Sequence, residues 1–471
     1  MNILSLEFAL FVSISFIIYW LINQKYRWIF LLLANYIFYS LANIKYLILL
    51  LIITIVSYLF GIIIDKKRKK KTYIIIGIII CALTLFAFKY LNFSISLINS
   101  VFRKDISLMN MILPLGISFY TFEAIGYMID IYRGQEPERH LGYYACYLSL
   151  FPTITSGPIE RSKRIISQLK ESNFFSCVKG DYSLKLLTWG LFKKIVIADN
   201  IASYINPIYE NVTDYKGMVL LAIIFLYTIQ IYADFSGYSD IARGLAGLFG
   251  IDLVENFRQP YFSTTIKEFW SKWHISLSTW LKDYVYIPLG GNRCIKIKHY
   301  LNLLITFLIS GLWHGANITY IIWGGIHGLL QILENLFNIK IEKKKYSFIW
   351  WIRCAFLFII LSITWVFFRS STINDALYIL NPMNVLSGIG NPVEYILNAI
   401  NALKLDRYVI VFIFMFVLLV FIFDYNNQKE DVINLMGKQN IFIKYAIYIL
   451  LIIVILAFKS TNGVSFVYEQ F

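Results

Sequence analysis

Long apolar stretches separated by short polar ones run through the whole chain. A helix that crosses the hydrocarbon of a bilayer needs about 20 apolar residues, with a range of about 17–25. Candidate spans lie near 7–22, 27–42, 46–64, 73–90, 113–131, 184–206, 217–235, 300–316, 318–337, 347–368, 407–424 and 441–458. The fold class expected is therefore an all-α polytopic membrane protein of about 11–12 transmembrane helices, joined by re-entrant or interfacial helices. The stretch 141–158 is apolar but interrupted by Pro152, Gly157 and Pro158. Irregular backbone at membrane depth must be buried in protein or line a cavity, so this stretch reads as re-entrant or interfacial.

The segment 255–299 is too polar to span and too aromatic for a plain loop. Thr265 and Glu268 have capping-box spacing, and Phe269, Trp273, Leu277, Trp280 and Leu281 follow at helical intervals. The pattern predicts one amphipathic helix at the cytoplasmic interface or tucked into the protein, ended by the turn Leu289-Gly290-Gly291-Asn292. The chain reads as a single domain over 1–471, with 255–299 as its cytoplasmic-side segment and 459–471 as an extracytoplasmic tail.

Composition sharpens this picture. Of 471 residues, 58% are hydrophobic and 15% charged, and the mean hydropathy is +0.64. Soluble domains carry about a quarter charged residues, which excludes an ordinary aqueous fold. The net charge of +15 sits in short runs such as Asp65–Lys71 and Lys340–Lys345, between apolar stretches. Such runs orient membrane proteins with Lys and Arg inside, and they argue against nucleic-acid binding. Placing Asp65–Lys71 in the cytoplasm and alternating outward puts the 255–299, 338–346 and 425–440 segments inside and both termini outside. The expected location is the cell membrane, crossed many times. The first apolar stretch lacks a basic leader and a small-residue cleavage site, so it reads as a span. The five cysteines form no CxxC or metal-like pair, and neither a disulfide framework nor a structural metal is expected. No internal repeat is evident, which weakens a transporter reading.

Candidate chemistry centres on histidine. An ionisable residue within a span is costly and marks a functional site by default. His314 lies in Ser310-Gly311-Leu312-Trp313-His314-Gly315-Ala316-Asn317, about 14 residues on from Tyr300, or about 21 Å along a helix. Imidazole suits removal of a proton from a hydroxyl near neutral pH. A buried imidazole satisfied by a neighbouring helix is the alternative. His274 falls on the Trp270, His274, Ser278 face of the predicted amphipathic helix, where an interfacial histidine without special role is the alternative. His327 follows Trp323-Gly324-Gly325, a setting typical of helix packing, and His140 and His299 read as loop or interface residues. Asp234, in Tyr232–Asp240, and the Ser156–Arg161 run place charges at span ends; they would bind substrate or pair helices.

Five segments carry a family resemblance: PLGISFYTFEAIGYMIDIYRG from Pro114, GLFKKIVIADNIA from Gly190, YADFSGYSDIARGLAGLFGI from Tyr232, NFRQPYFSTTIKEFWSKWHISLSTWLKDYVYIPLGGNR from Asn256 and SGLWHG from Ser310. Together they resemble the bacterial membrane-bound O-acyltransferase family, most nearly its alginate O-acetyltransferase branch. Phe151–Pro158 instead resembles the branch that D-alanylates teichoic acids. The resemblance implies helices around a central tunnel, with the acyl donor entering from the cytosol and the acceptor reached from outside. It implies His314 as the catalytic residue of the SGxWHG motif and His274 as the WHxSL histidine. Ser310, Trp313, Asn317, Trp273 and Asp234 are candidates for contact with substrate or tunnel. No bound cofactor or metal is implied; the donor would be acetyl-CoA or an acyl-carrier thioester.

Phe466-Val467-Tyr468-Glu469-Gln470-Phe471 resembles the FxYxxF tail of such transferases or their partner peptides, where the tyrosine relays the acyl group. An aromatic interfacial anchor is the alternative for Tyr468. The expected partners are a cytosolic acyl donor, membrane lipids and an extracellular SGNH-hydrolase-like acyltransferase. The leading expectation is O-acylation, with acetyl as the group, of an extracellular polysaccharide or peptidoglycan. The alternatives are D-alanyl transfer to teichoic acid, a flippase or transporter of lipid-linked sugars, and a scaffold for an export complex. The last two have no need of the histidine pair.

Overall fold

Backbone amides in hydrocarbon have no water to bond, so every spanning segment must satisfy them within itself. The long apolar runs accordingly become helices. A computed structural model describes residues 4–66 and 70–459, and among them there is no β-strand. Two compact units are distinguished: residues 1–184 with 242–254, and residues 185–241 with 255–471.

The first unit holds α1 (Leu6–Leu21), α2 (Arg27–Ala42), α3 (Ile44–Lys66), α4 (Lys70–Leu85), α5 (Leu91–Phe102), α6 (Ile117–Tyr132), α7 (Leu141–Leu148) and α8 (Ser162–Lys170). A π turn at Phe86–Tyr90 joins α4 to α5, so the span expected over 73–90 is part of one apolar helix running from Lys70 to Phe102. The interrupted stretch behaves as its prolines and glycine dictate: α7 stops at Leu148, and 150–157 runs through buried turns. Asn35 replaces the missing helical bonds there. Its Nδ2 donates to the Cys146 carbonyl at 3.4 Å and its Oδ1 accepts from the Phe151 amide at 3.0 Å.

The chain passes between the units along α9 (Cys177–Leu191), then continues through a π turn at Phe192–Ala198, α10 (Asp199–Glu210) and α11 (Met218–Leu248). The π turn widens the helix, and Lys193 and Lys194 are both buried there. Lys193 pairs with Asp240 at 2.7 Å, and Lys194 bridges Asp199 and Asp234, each at 2.7 Å. Buried charges persist only when paired, so this cluster ties the π turn to α11.

The rest of the second unit comprises α12 (Ile266–Lys272), α13 (Ile275–Leu281), α14 (Lys296–His314), α15 (Ile318–Leu336), α16 (Phe348–Arg369), α17 (Ile373–Leu380), α18 (Pro382–Val385), α19 (Pro392–Ala402), α20 (Arg407–Asn427), α21 (Val432–Gly437) and α22 (Ile441–Ala457). The pattern of spans did not anticipate α17, α18, α19 or α21, which are short and lie between long helices. Among the described residues, five helices are long and apolar enough to cross a membrane: 44–66, 70–102, 218–248, 348–369 and 408–427. α1 and α22 are shorter apolar helices. Burial separates their settings: the apolar window of α11 is 67% buried and that of α20 only 17%, so α11 is an inner helix and α20 turns most of its surface outward.

Candidate active site

The hairpin of α14 and α15 is built on glycine. A Cβ on Gly311 would lie 2.2 Å from the Tyr320 carbonyl oxygen, and one on Gly324 2.2 Å from that of Phe307. Only hydrogen fits at either place, so the two backbones touch. His314 is the last residue of α14, because Gly315 leaves the helix in extended backbone. The span expected over 300–316 would continue past His314; instead the helix ends there. Asn317 caps α15, accepting from the Thr319 amide at 3.1 Å while its Nδ2 donates to the Ser371 carbonyl at 2.9 Å. Its side chain is committed to that cap, which is a structural task. His314 is 1% exposed, and its ring is surrounded by Trp313, Trp323 and Phe368 at centroid distances of 5.0, 5.1 and 5.2 Å.

His274 reaches the same place from a different element. The single amphipathic helix expected over this region is broken: α12 ends at Lys272 and α13 begins at Ile275. Between them His274 has φ 44 and ψ 54, left-handed backbone that few non-glycine residues adopt. The segment is buried within the unit, with Phe269 and His274 both at 0% exposure. The capping box is half formed. Thr265 Oγ1 accepts from the Glu268 amide, but the Glu268 carboxylate accepts from Thr264 and Lys272.

Asn256 is what holds the break. Its carbonyl accepts from the Ile275 amide at 3.0 Å, and its Oδ1 accepts from the Ser276 amide at 3.1 Å. His274 Nδ1 lies 3.3 Å from the same Oδ1. An oxygen already accepting from an amide identifies Nδ1 as the protonated nitrogen, which leaves the lone pair on Nε2. Burial pushes the His274 imidazole down to about 3, so it is neutral at physiological pH.

The two imidazole centroids are 6.3 Å apart. Trp313 lies against both rings, 5.8 Å from His274, and Phe235 packs edge-on to His274 at 4.6 Å. Of the residues singled out from sequence, His274, His314 and Trp313 therefore come together. Ser310 is buried one helical turn before His314. Trp273 lies in an aromatic layer with Phe257, Phe269 and Trp365, at 5.0, 5.4 and 4.9 Å. Asp234 belongs to the Lys194 ion cluster. Tyr468 lies outside the described residues. Among the described residues, no group of three His, Cys, Asp or Glu side chains is placed to hold a metal ion.

His327 has the packing role its glycine setting suggests. Trp270 Nε1 donates to its Nδ1 at 3.3 Å, which leaves Nε2–H to donate to Thr364 Oγ1 at 3.1 Å. Sequence reasoning missed Asn256 and Trp323. Asn256 lies 18 residues before its partner His274, too far for any helical or strand period to link them. Trp323 is one apolar residue among many until the hairpin closes.

The profile of the membrane-bound O-acyltransferase family matches residues 138–372, which contain both histidines. A protein named probable alginate O-acetylase AlgI, from Pseudomonas syringae pv. tomato, is 38% identical over 78% of this chain and 72% of its own length. This chain belongs to the membrane-bound O-acyltransferase family. A peptidoglycan O-acetyltransferase of Helicobacter pylori is 32% identical over 80% of the chain and 79% of its own length. A teichoic acid D-alanyltransferase of Bacillus subtilis is 31% identical over 50% of the chain and 62% of its own length. The chain is thus a polytopic membrane enzyme that transfers acyl groups to oxygen, and its reaction requires an acyl donor.

Proposed function

We propose that this O-acyltransferase takes an acetyl group from a cytosolic thioester, acetyl-CoA or an acyl-carrier thioester, and delivers it toward a polysaccharide or peptidoglycan outside the cell. The observation that carries this reading is the meeting of His274 and His314, from separate elements, inside one water-excluding aromatic shell. Two relatives are named for O-acetyl transfer to such polymers, which favours acetyl over D-alanyl. His314 is the base for the attacking hydroxyl, and a positioned imidazole contributes about 10²–10⁴-fold in such a role. His274, with Nδ1 held by Asn256, offers the Nε2 lone pair as an acceptor for a donor or hydroxyl proton.

The chain acts as one functional domain in the bacterial cell membrane, with its basic loops inside and both termini outside. A polymer outside the cell does not reach a cytosolic thioester, so a carrier is needed. Tyr468 is the proposed carrier: its phenol accepts the acyl group and yields it to an extracellular hydrolase-like partner. Splitting one hard transfer into two easier ones is the logic of covalent catalysis.

The deciding experiment is His314→Ala, expressed in a strain that lacks the native chain. Envelope O-acyl esters should fall by at least about a hundredfold while the protein remains inserted. Ester content within about threefold of wild type would show that His314 is not the base.

A further inference from the structure

One stripe of α15 carries Thr319, Trp323 and His327, spaced four apart along one side of the helix, and its Trp323 packs against His314. His327 is fully used: it accepts from Trp270 and donates to Thr364, whose hydroxyl in turn donates to the Leu361 carbonyl at 2.8 Å. Trp323 differs. Its ring is 0% exposed, and its Nε1 has no hydrogen-bond partner among the described residues. Thr319 Oγ1, 1% exposed one turn earlier, is in the same condition. An indole N–H only donates, and a buried donor left unpaired is costly enough that buried tryptophans nearly always find an acceptor.

The position of this donor matters. The Trp323 ring stands edge-on to His314, at 84° and a centroid distance of 5.1 Å, with Trp365 stacked behind it at 5.5 Å and Phe368 at 5.0 Å. Its neighbour Gly324 admits no side chain, so the helix cannot withdraw the indole from the imidazole without opening the hairpin. An indole held beside a general base, in a site of low dielectric, brings a donor that can stabilise an oxygen acquiring charge.

We propose that Trp323 Nε1–H, with the Thr319 hydroxyl, donates to the acyl carbonyl oxygen as the tetrahedral intermediate forms. This rests on the reading of His314 as the base. The acceptor oxygen bonds to the acyl carbon as its proton passes to the imidazole of His314. The carbonyl π pair moves to oxygen, where the indole N–H meets it. That pair then re-forms the carbonyl, the C–S bond breaks, and the thiolate leaves with the proton from the imidazolium. Acyl thioester and hydroxyl become ester and thiol, with no further reagent. A donor that meets its acceptor only during reaction explains why the N–H has no partner among the described residues.

The test uses the full chain expressed in a strain that lacks it, and reads the initial rate at which base-labile acyl esters accumulate in the envelope. Trp323→Phe removes the N–H and keeps an aromatic ring. Replacing the Trp323 indole with its benzothiophene isostere removes the N–H with both rings kept, and Thr319→Val removes the hydroxyl at constant shape. With Trp323→Phe and the isostere, the rate should fall by about 10²-fold, the typical effect of losing one such donor, and Thr319→Val should lower it less. The melting temperature of the purified isostere protein should stay at the wild-type value, because the N–H has no partner among the described residues. If Trp323→Phe fails to fold, the isostere decides. A full rate in the isostere alongside an inactive His314→Ala overturns the donor and leaves the base standing. A lowered melting temperature in the isostere also overturns it, since the N–H then has a structural partner. An active His314→Ala removes the reading on which the proposal rests.

Discussion

At the scale of single residues, the site is shaped by what each polar atom is bound to. His274 is an uncommon left-handed residue, and Asn256 holds it there by taking the Ser276 amide and the imidazole Nδ1 on one oxygen. Asn256→Ala removes both bonds and leaves buried donors unsatisfied, a loss of about 1–3 kcal/mol each. Activity should fall at least about tenfold, and the melting temperature of the purified protein should drop. Acidification adds a second readout. The folded His274 takes its proton near pH 3, against an ordinary value of 6.5. Below pH 6.5 the unfolded chain therefore binds a proton that the folded chain refuses, and stability declines as pH falls from 6.5 toward 3. His274→Gln should remove this part of the acid sensitivity. Its melting temperature should fall less than that of wild type between pH 7 and pH 5, and an equal fall in both proteins would show that His274 is not buried neutral.

At the scale of elements, glycines and a helix break do what side-chain chemistry cannot. The α14–α15 hairpin closes only because Gly311 and Gly324 let backbone meet backbone, each with room for no Cβ within 2.2 Å of a carbonyl oxygen. Gly324→Ala forces α15 away from α14, an overpacking cost of about 1–3 kcal/mol. It should also separate Trp323 from His314. Acyl transfer should fall by more than tenfold in protein that still inserts, and thermal unfolding should come earlier. An unchanged melting temperature would contradict the close packing. The break between α12 and α13 has a comparable consequence: a continuous helix would have carried His274 on a face with Trp270 and Ser278. The break turns it toward Asn256 and His314 instead.

At the scale of the whole molecule, the expected topology is open to direct labelling. With the native cysteines replaced, Lys344→Cys should react only with membrane-permeant thiol reagents, and Thr461→Cys should be labelled from outside intact cells. Labelling of Thr461→Cys from inside alone would overturn the proposed orientation and the tyrosine relay with it. Tyr468→Phe keeps an aromatic anchor and removes the nucleophile. Envelope acylation should stop, and mass spectrometry of wild type without its downstream partner should find an acyl adduct on Tyr468. Full acylation in Tyr468→Phe would leave direct transfer as the surviving route. Much of the molecule is legible from sequence alone. Membrane residence, helical class and most long helices follow from apolar run lengths, because hydrocarbon compels backbone to bond within its own segment. The rarity of ionisable groups in such runs marks His314, and the motif around it carries the family. Other features required the tertiary structure. Periodicity over 265–281 spells one helix, and only the bonds from Asn256 reveal the break at His274. The grouping of Asn256, His274, His314 and Trp323 depends on contacts between residues far apart in sequence. Such contacts are set by which backbones approach closely, and local pattern carries no information about them.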